Sequence, residues 1–391
     1  MDLPRSSPDG VAVLTPSTEW IADEARPENP AYLSQQLITY IGNKRNLLGF
    51  IGNGIARVQR RLGKDKLVTF DAFSGSGIVS RYLKRFSSCL YANDLERYAA
   101  VINQCYLTNR EDFPEAEFRE RFTDLAWRLG NEPLKAGLIA DMYAPRDDAE
   151  IRKGERAFYT SRNAKYLDTA RTLIDGVPDE LKKFFLAPLL SEASIHANTS
   201  GVFKGFYKNA ETGIGQFGGK KRDALFRITG DIKLQYPVLS DHSTECHVLE
   251  GDANDVCDRI PEVDVAYLDP PYNQHPYGSN YFMLNVLLDY RKPAAVSPVS
   301  GIPSDWNRSL YNKKHMAHDA LSSLVEKINA KFLIVSFNSE GFIVRDRMVE
   351  LLERFGTLTV LETSYNAFRG SRNLSGRDIH VREFLFLLEK R

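Results

Sequence analysis

The tetrad Asp269-Pro270-Pro271-Tyr272 follows directly on the apolar run Val263–Leu268. An acid there can accept a hydrogen bond from an amino group. Both prolines lack an N–H and hold φ near −65°, so the turn is stiff and its carbonyls point outward. The tyrosine offers a flat face on which a base can stack. Together they describe a pocket for an extruded nucleobase with an exocyclic amine. A plain strand-ending turn would account for the proline pair. It does not account for an acid before the pair and an aromatic after it, at the sheet edge where α/β proteins bind ligands.

A second constellation, Asp71-Ala72-Phe73-Ser74-Gly75-Ser76-Gly77, sits where a strand turns into a helix. Glycines there let the backbone approach a ligand, and the helix N-terminus supplies free N–H groups. Position 80 is serine, so the third glycine of the dinucleotide fingerprint is missing, which counts against a nicotinamide oxidoreductase. Asp94 ends the next strand and can accept hydrogen bonds from both hydroxyls of a ribose. A nucleoside cofactor without a pyrophosphate fits, namely S-adenosylmethionine. Asp252, in Glu250-Gly251-Asp252-Ala253, has two readings: acceptor for the adenine amino group of that cofactor, or N-cap of the helix that follows.

The elements that would carry these residues alternate in the order strand, glycine turn, helix, strand, acid. The pattern predicts strands at 68–70 and 89–92, with helices at 47–62 and 78–86 and another through Leu107. This is the first half of a doubly wound, mostly parallel α/β sheet. Between about 112 and 235 charged helical patterns replace the sheet rhythm. Strand signals return at 246–249, 263–268, 332–337, 358–361 and 383–388. The last two flank a loop rich in Asn, Ser, Gly and Arg and predict an antiparallel closing pair. The expected organisation is a polar, Pro-rich arm over 1–30, a catalytic domain over 31–111 and 236–391, and a helical insertion over 112–235.

The 391 residues carry 51 Lys+Arg against 51 Asp+Glu, which argues against a binder held to nucleic acid by bulk charge. A local field remains open to it. Lys204, Lys208, Lys220, Lys221 and Arg222 are interspersed with Gly, Phe and Tyr residues, a mix suited to phosphate contacts from a loop, or to a plain solvated surface. Arg369, Arg372 and Arg377 in the late loop are weaker candidates of the same kind. His196 and His275 read as structural or DNA-contacting. Cys89, Cys105, Cys246 and Cys257 lack Cys-x-x-Cys spacing and read as buried free thiols, so no metal is expected. No apolar stretch can span a bilayer and no signal-peptide core is present, which predicts a cytoplasmic protein.

These segments resemble, in order, those of the Dam-like α-group of adenine-N6 DNA methyltransferases. Tyr40-Ile41-Gly42-Asn43-Lys44 is similar to its N-terminal motif, where Tyr40, Gly42 and Lys44 would help hold S-adenosylmethionine. Asp71 to Gly77 is similar to its glycine motif, with Asp71, Phe73, Gly75 and Gly77 at the cofactor. Asp94 matches its ribose-binding acid, and Asp269 to Tyr272 its catalytic turn. Tyr277-x-x-Asn280-Tyr281, Ser336-Phe337-Asn338-Ser339-Glu340 and Asn198 to Lys204 resemble stretches of its restriction-modification members.

The resemblance implies a Rossmann-like methyltransferase with a target-recognition insertion and duplex DNA as partner. It also implies Tyr277 and Asn280 on the DNA side, a monomer, and a restriction endonuclease as candidate companion. Aspartate at the head of the turn favours adenine over cytosine N4, where serine is more usual. The competing expectations are the same fold acting on cytosine N4, RNA adenine or a protein glutamine, and a DNA-binding module without catalysis.

Overall fold

The computed structural model describes residues 28–219, 222–366 and 380–391. Seven strands form one mixed sheet: β1 Leu67–Asp71, β2 Ser87–Asp94, β3 Glu245–Glu250, β4 Val263–Leu268, β5 Ala330–Asn338, β6 Gly356–Asn366 and β7 His380–Lys390. Their order is β3-β2-β1-β4-β5-β7-β6. The first five are parallel, and β7 runs antiparallel to both β5 and β6. This is the doubly wound arrangement expected, closed by the expected antiparallel pair.

Every residue of β4 is buried, as a strand covered on both faces must be. Its side chains alternate between two cores. Val265 and Tyr267 pack with Ile334 and Leu385, over which the helix Leu48–Leu62 lays Leu48, Ile51, Ile55 and Val58 at helical spacing. Ala266 and Leu268 face Leu333 and Val335, covered by the helices Ala317–Lys327 and Arg345–Glu353. Asp264, the one acid in the strand, is ion-paired to Lys64 at 2.8 Å and Lys331 at 3.2 Å.

A third core joins the helices Glu115–Asn131, Ser161–Asp175 and Asp179–Ile195 of the 112–235 stretch to Arg97–Tyr106 and Phe282–Asp289. Phe118, Phe184 and Phe185 therefore share one hydrophobic cluster with Tyr98, Tyr281 and Phe282.

Two expectations are corrected. β6 and β7 each run for 11 residues, well beyond the apolar runs at 358–361 and 383–388. Polar residues such as Thr357 and Thr363 occupy the strand ends, where the ladder continues without an apolar requirement. The four cysteines are free, but only Cys105 and Cys257 are buried. Cys89 and Cys246 are partly exposed toward the β3 edge, where Cys89, Glu245 and His247 bring ligand-capable atoms within 4.8 Å of one another. Among the described residues no helix is long and apolar enough to cross a membrane.

Candidate active site

β1 and β4 lie side by side, with Asp71 in register with Tyr267, so the segments leaving their carboxyl ends face one crevice. In such sheets ligands bind where neighbouring strands send their connections opposite ways. The wall of this crevice includes Tyr40, Gly42, Lys44, Phe73, Gly75, Asp94, Asp252, Asp269 and Pro271. Segments far apart in sequence thus meet in one place.

On the β4 side, Asp269 is 16% exposed and Lys44 only 3%, with the lysine Nζ 3.0 Å from Asp269 Oδ1. Burial pushes the Asp269 carboxyl up to about 6; the Lys44 ammonium opposes this, and the charge of Glu383 adds to it. Burial disfavours the Lys44 charge, but Asp269 and Glu383 outweigh it and hold its pKa above the usual range. Tyr272 packs edge-on against Phe337 at 5.8 Å between ring centres, and its carbonyl accepts the N–H of Phe342 at 2.9 Å. The ring is therefore anchored on β5 and on the loop beyond it. Gly42, at φ +76°, passes so close that a Cβ there would lie 3.3 Å from the Tyr272 hydroxyl.

On the β1 side, Gly75 and Gly77 both take positive φ, +51° and +76°. A Cβ on Gly75 would stand 2.7 Å from the Tyr40 ring, and one on Gly77 2.7 Å from Asn103 Oδ1. Only glycine permits this turn. Tyr40 in turn stacks on Tyr277 and Tyr281, each at 4.9 Å. Asp94 accepts the Gly75 N–H at 2.7 Å on one oxygen and the Glu96 N–H at 2.9 Å on the other. Each carboxylate oxygen keeps a second acceptor site for a ligand hydroxyl. Burial raises Asp94 to about 6 against those two backbone donors. Asp252 lines the crevice and also caps the short helix Ala253–Val256, accepting the Asn254 N–H at 2.9 Å. The N-cap reading is therefore met, by a side chain that also lines the crevice.

Some expected residues lie elsewhere. Asp71, Gly77, Pro270 and Tyr272 are not part of the crevice wall. Asp71 is fully buried beneath the glycine turn, where the Ser80 hydroxyl donates to it at 2.6 Å. Its carboxyl is raised to about 7, chiefly by burial. Asn280, expected on the DNA side, is 1% exposed, and its carbonyl accepts the Phe203 N–H at 2.7 Å. It anchors the segment after Asn198 and has no open face for DNA. Tyr277, expected beside it, lines the crevice instead, stacking on Tyr40 and donating to the Ile41 carbonyl at 3.0 Å. Lys204, Lys208 and Arg222 are exposed. Lys204 raises the local positive potential at His275, beyond the Asp269 turn. Lys220, Lys221, Arg369, Arg372 and Arg377 lie outside the described residues, as does most of the 1–30 arm.

Three contributors escape a reading of the sequence alone. Glu96 lines the crevice beside Asp94, and Asn285 and Asn307 donate to its Oε2 at 2.8 and 3.4 Å. Burial and then the charge of Asp94 push it to about 7. Its signal is the second acid in Asn93-Asp94-Leu95-Glu96. Segment 307–312 roofs the crevice: Tyr311 donates to Asn254 at 2.7 Å, and Asn312 donates to the Asn273 carbonyl at 2.8 Å. No periodicity marks it. The third is Glu383 of β7, fully buried and 3.0 Å from Lys44 Nζ; an acid inside the apolar run 383–388 is its one clue.

A family model described as D12 class N6 adenine-specific DNA methyltransferase matches residues 40–349. The type II methyltransferase M.NlaIII of Neisseria lactamica is 29% identical over 364 residues, covering 90% of this chain and 99% of that protein. M.CviAII of Paramecium bursaria Chlorella virus 1 is 27% identical, covering 90% and 98% respectively. M.FokI of Planomicrobium okeanokoites is 24% identical, and the match spans 52% of its length.

Proposed function

We propose that this chain, which belongs to the D12 class of N6 adenine-specific DNA methyltransferases, carries out its transfer in the crevice between β1 and β4, with Asp269 as the principal catalytic residue. The observation that supports this most is the meeting of two halves: the Asp269 turn and the glycine turn open on one space, with Lys44 in its wall paired to Asp269.

The family and the fold imply S-adenosylmethionine, and the residues present fit it. The crevice wall carries three acids, Asp94, Glu96 and Asp252, suited to hydroxyl and amino donors, and the bare Gly75 backbone leaves room for the Tyr40 ring beside them. Gly75 and Phe73 would line the nucleoside, Asp94 and Glu96 would accept from the ribose, and Asp252 would accept from the adenine amino group. Bound there, the cofactor supplies an electrophilic methyl group.

The chain's own task is to make a weak nucleophile react. The lone pair of adenine N6 is delocalised into the ring. Asp269 and the Pro270 carbonyl would accept the two N6 hydrogens, favouring a pyramidal nitrogen whose lone pair points away from them. Pro271 keeps the turn stiff, and Tyr272 would stack on the base, offsetting part of an unstacking cost of a few kcal/mol. Holding the reacting atoms together supplies much of the rate. Lys204, Lys208, Lys220, Lys221 and Arg222 would grip phosphates, and the segment carrying them would approach the duplex. Like the type II relatives, the enzyme would serve as the protecting partner of a restriction endonuclease.

The test is Asp269→Ala, assayed with tritiated S-adenosylmethionine on duplex DNA, RNA and protein. Wild-type protein should label adenine N6 in DNA alone. The variant should lose about a thousandfold or more in rate, while calorimetry finds cofactor binding largely intact. Wild-type turnover by the variant would sink the assignment.

A further inference from the structure

Lys44 has two acidic neighbours. Its Nζ lies 3.0 Å from Asp269 Oδ1 and 3.0 Å from Glu383 Oε1. Glu383 comes from β7, is fully buried, and is not part of the crevice wall, so it acts on the site only through its neighbours. Ser336 on β5 donates to the same oxygen at 2.8 Å. The chain of contacts thus runs Ser336, Glu383, Lys44, Asp269, from the sheet interior to the crevice.

Had Lys44 only Asp269 for a partner, the reaction would face a conflict. Asp269 must turn its oxygens to the N6 hydrogens of the base. Doing so would strip a buried ammonium of its counter-ion, and an uncompensated buried charge is strongly unfavourable. A second carboxylate that never leaves removes the conflict. We propose that Glu383 is a positioning residue: tied down by Ser336, it is the permanent counter-ion of Lys44, so that Asp269 can change partner without leaving the lysine unpaired. The same ion pair fixes where the ammonium sits and hence the field that Asp269 feels. This inference rests on Asp269 being the acceptor of N6.

The titratable groups facing Asp269 and Lys44 are Glu383 on β7, Asp71 on β1, Tyr267 on β4, and Tyr272 and Tyr277 beyond the turn. Glu383 and Asp71 are the acids among them, and the Glu383 charge disfavours the Asp269 anion. Removing it should therefore ionise Asp269 at lower pH.

The experiment is Glu383→Gln, which keeps the shape and the acceptor for Ser336. The rate of DNA methylation should fall roughly ten- to a hundredfold in kcat, the scale of losing a charged hydrogen-bond partner. The acid limb of the kcat/KM profile should move to lower pH. In a Lys44→Gln background the same change should cause no further fall in kcat, because its route to the transfer is gone, while its direct charge effect on the acid limb remains. Ser336→Ala, a milder change, should slow transfer in the same direction if Glu383→Gln does not fold. An unchanged kcat with an unmoved acid limb overturns the proposal. So does a loss that leaves the acid limb in place and simply adds to Lys44→Gln, since that marks ordinary structural damage. Turnover by Asp269→Ala would instead remove the premise, an outcome separate from either.

Discussion

An aspartate that accepts hydrogens from an amine does so as its anion, which ties the reaction to the ionisation of one carboxyl. Burial raises Asp269 to about 6, with Lys44 pulling the other way. The competent form is present above that pH and is lost as pH falls through it. Single-turnover methylation should therefore keep its plateau above neutrality and drop about tenfold per unit on the acid side of about 6; a rate flat down to about pH 4.5 would rule Asp269 out. Asp269 was legible in the sequence because an acid before the proline pair and an aromatic after it go beyond what a strand-ending turn needs. Glu383 was not, because a single acid in an apolar strand gives no hint of which distant lysine it meets. Asp94 was legible as an acid after a strand, but its hydrogen bonds to Gly75 and Glu96 depend on the turn that the fold brings to it.

The glycine turn carries the site's tightest constraint at the level of elements. Gly75 combines a left-handed backbone with a Tyr40 ring where its Cβ would be. Gly63, which ends the helix Leu48–Leu62, has the same backbone sign at φ +63° and open space around it. Gly75→Ala should thus lower S-adenosylmethionine affinity by about tenfold or more, about 1.4 kcal/mol, because its Cβ would displace the Tyr40 ring that lines the crevice. Gly63→Ala should cost stability and leave affinity unchanged; calorimetry on both variants separates strain from obstruction. The central strands were legible because burial on both faces writes a continuous apolar run. The ends of β6 and β7 and the 307–312 roof were not. Their residues are chosen for hydrogen bonds to elements that the sequence places far away, and no local pattern records such partners.

At the scale of the whole molecule, cations and anions balance, so attraction to DNA has to come from where the cations sit. Lys204, Lys208 and Arg222 stand exposed on the segment after Asn198. If they touch phosphates, replacing all three with Gln should flatten the plot of log K against log salt by about 0.9 for each phosphate no longer neutralised. A slope unchanged from wild type would make the segment ordinary solvated surface. That segment grows from helices whose core is not their own. Phe118, Phe184 and Phe185 pack in one cluster with Tyr98, Tyr281 and Phe282 from the elements that flank the crevice. A region built this way cannot be exchanged between relatives as a cassette, because cutting at its borders divides a single core and exposes both halves. Point changes on its exposed turns leave that core whole, which makes libraries confined to those turns a sounder route to altered variants than domain grafting.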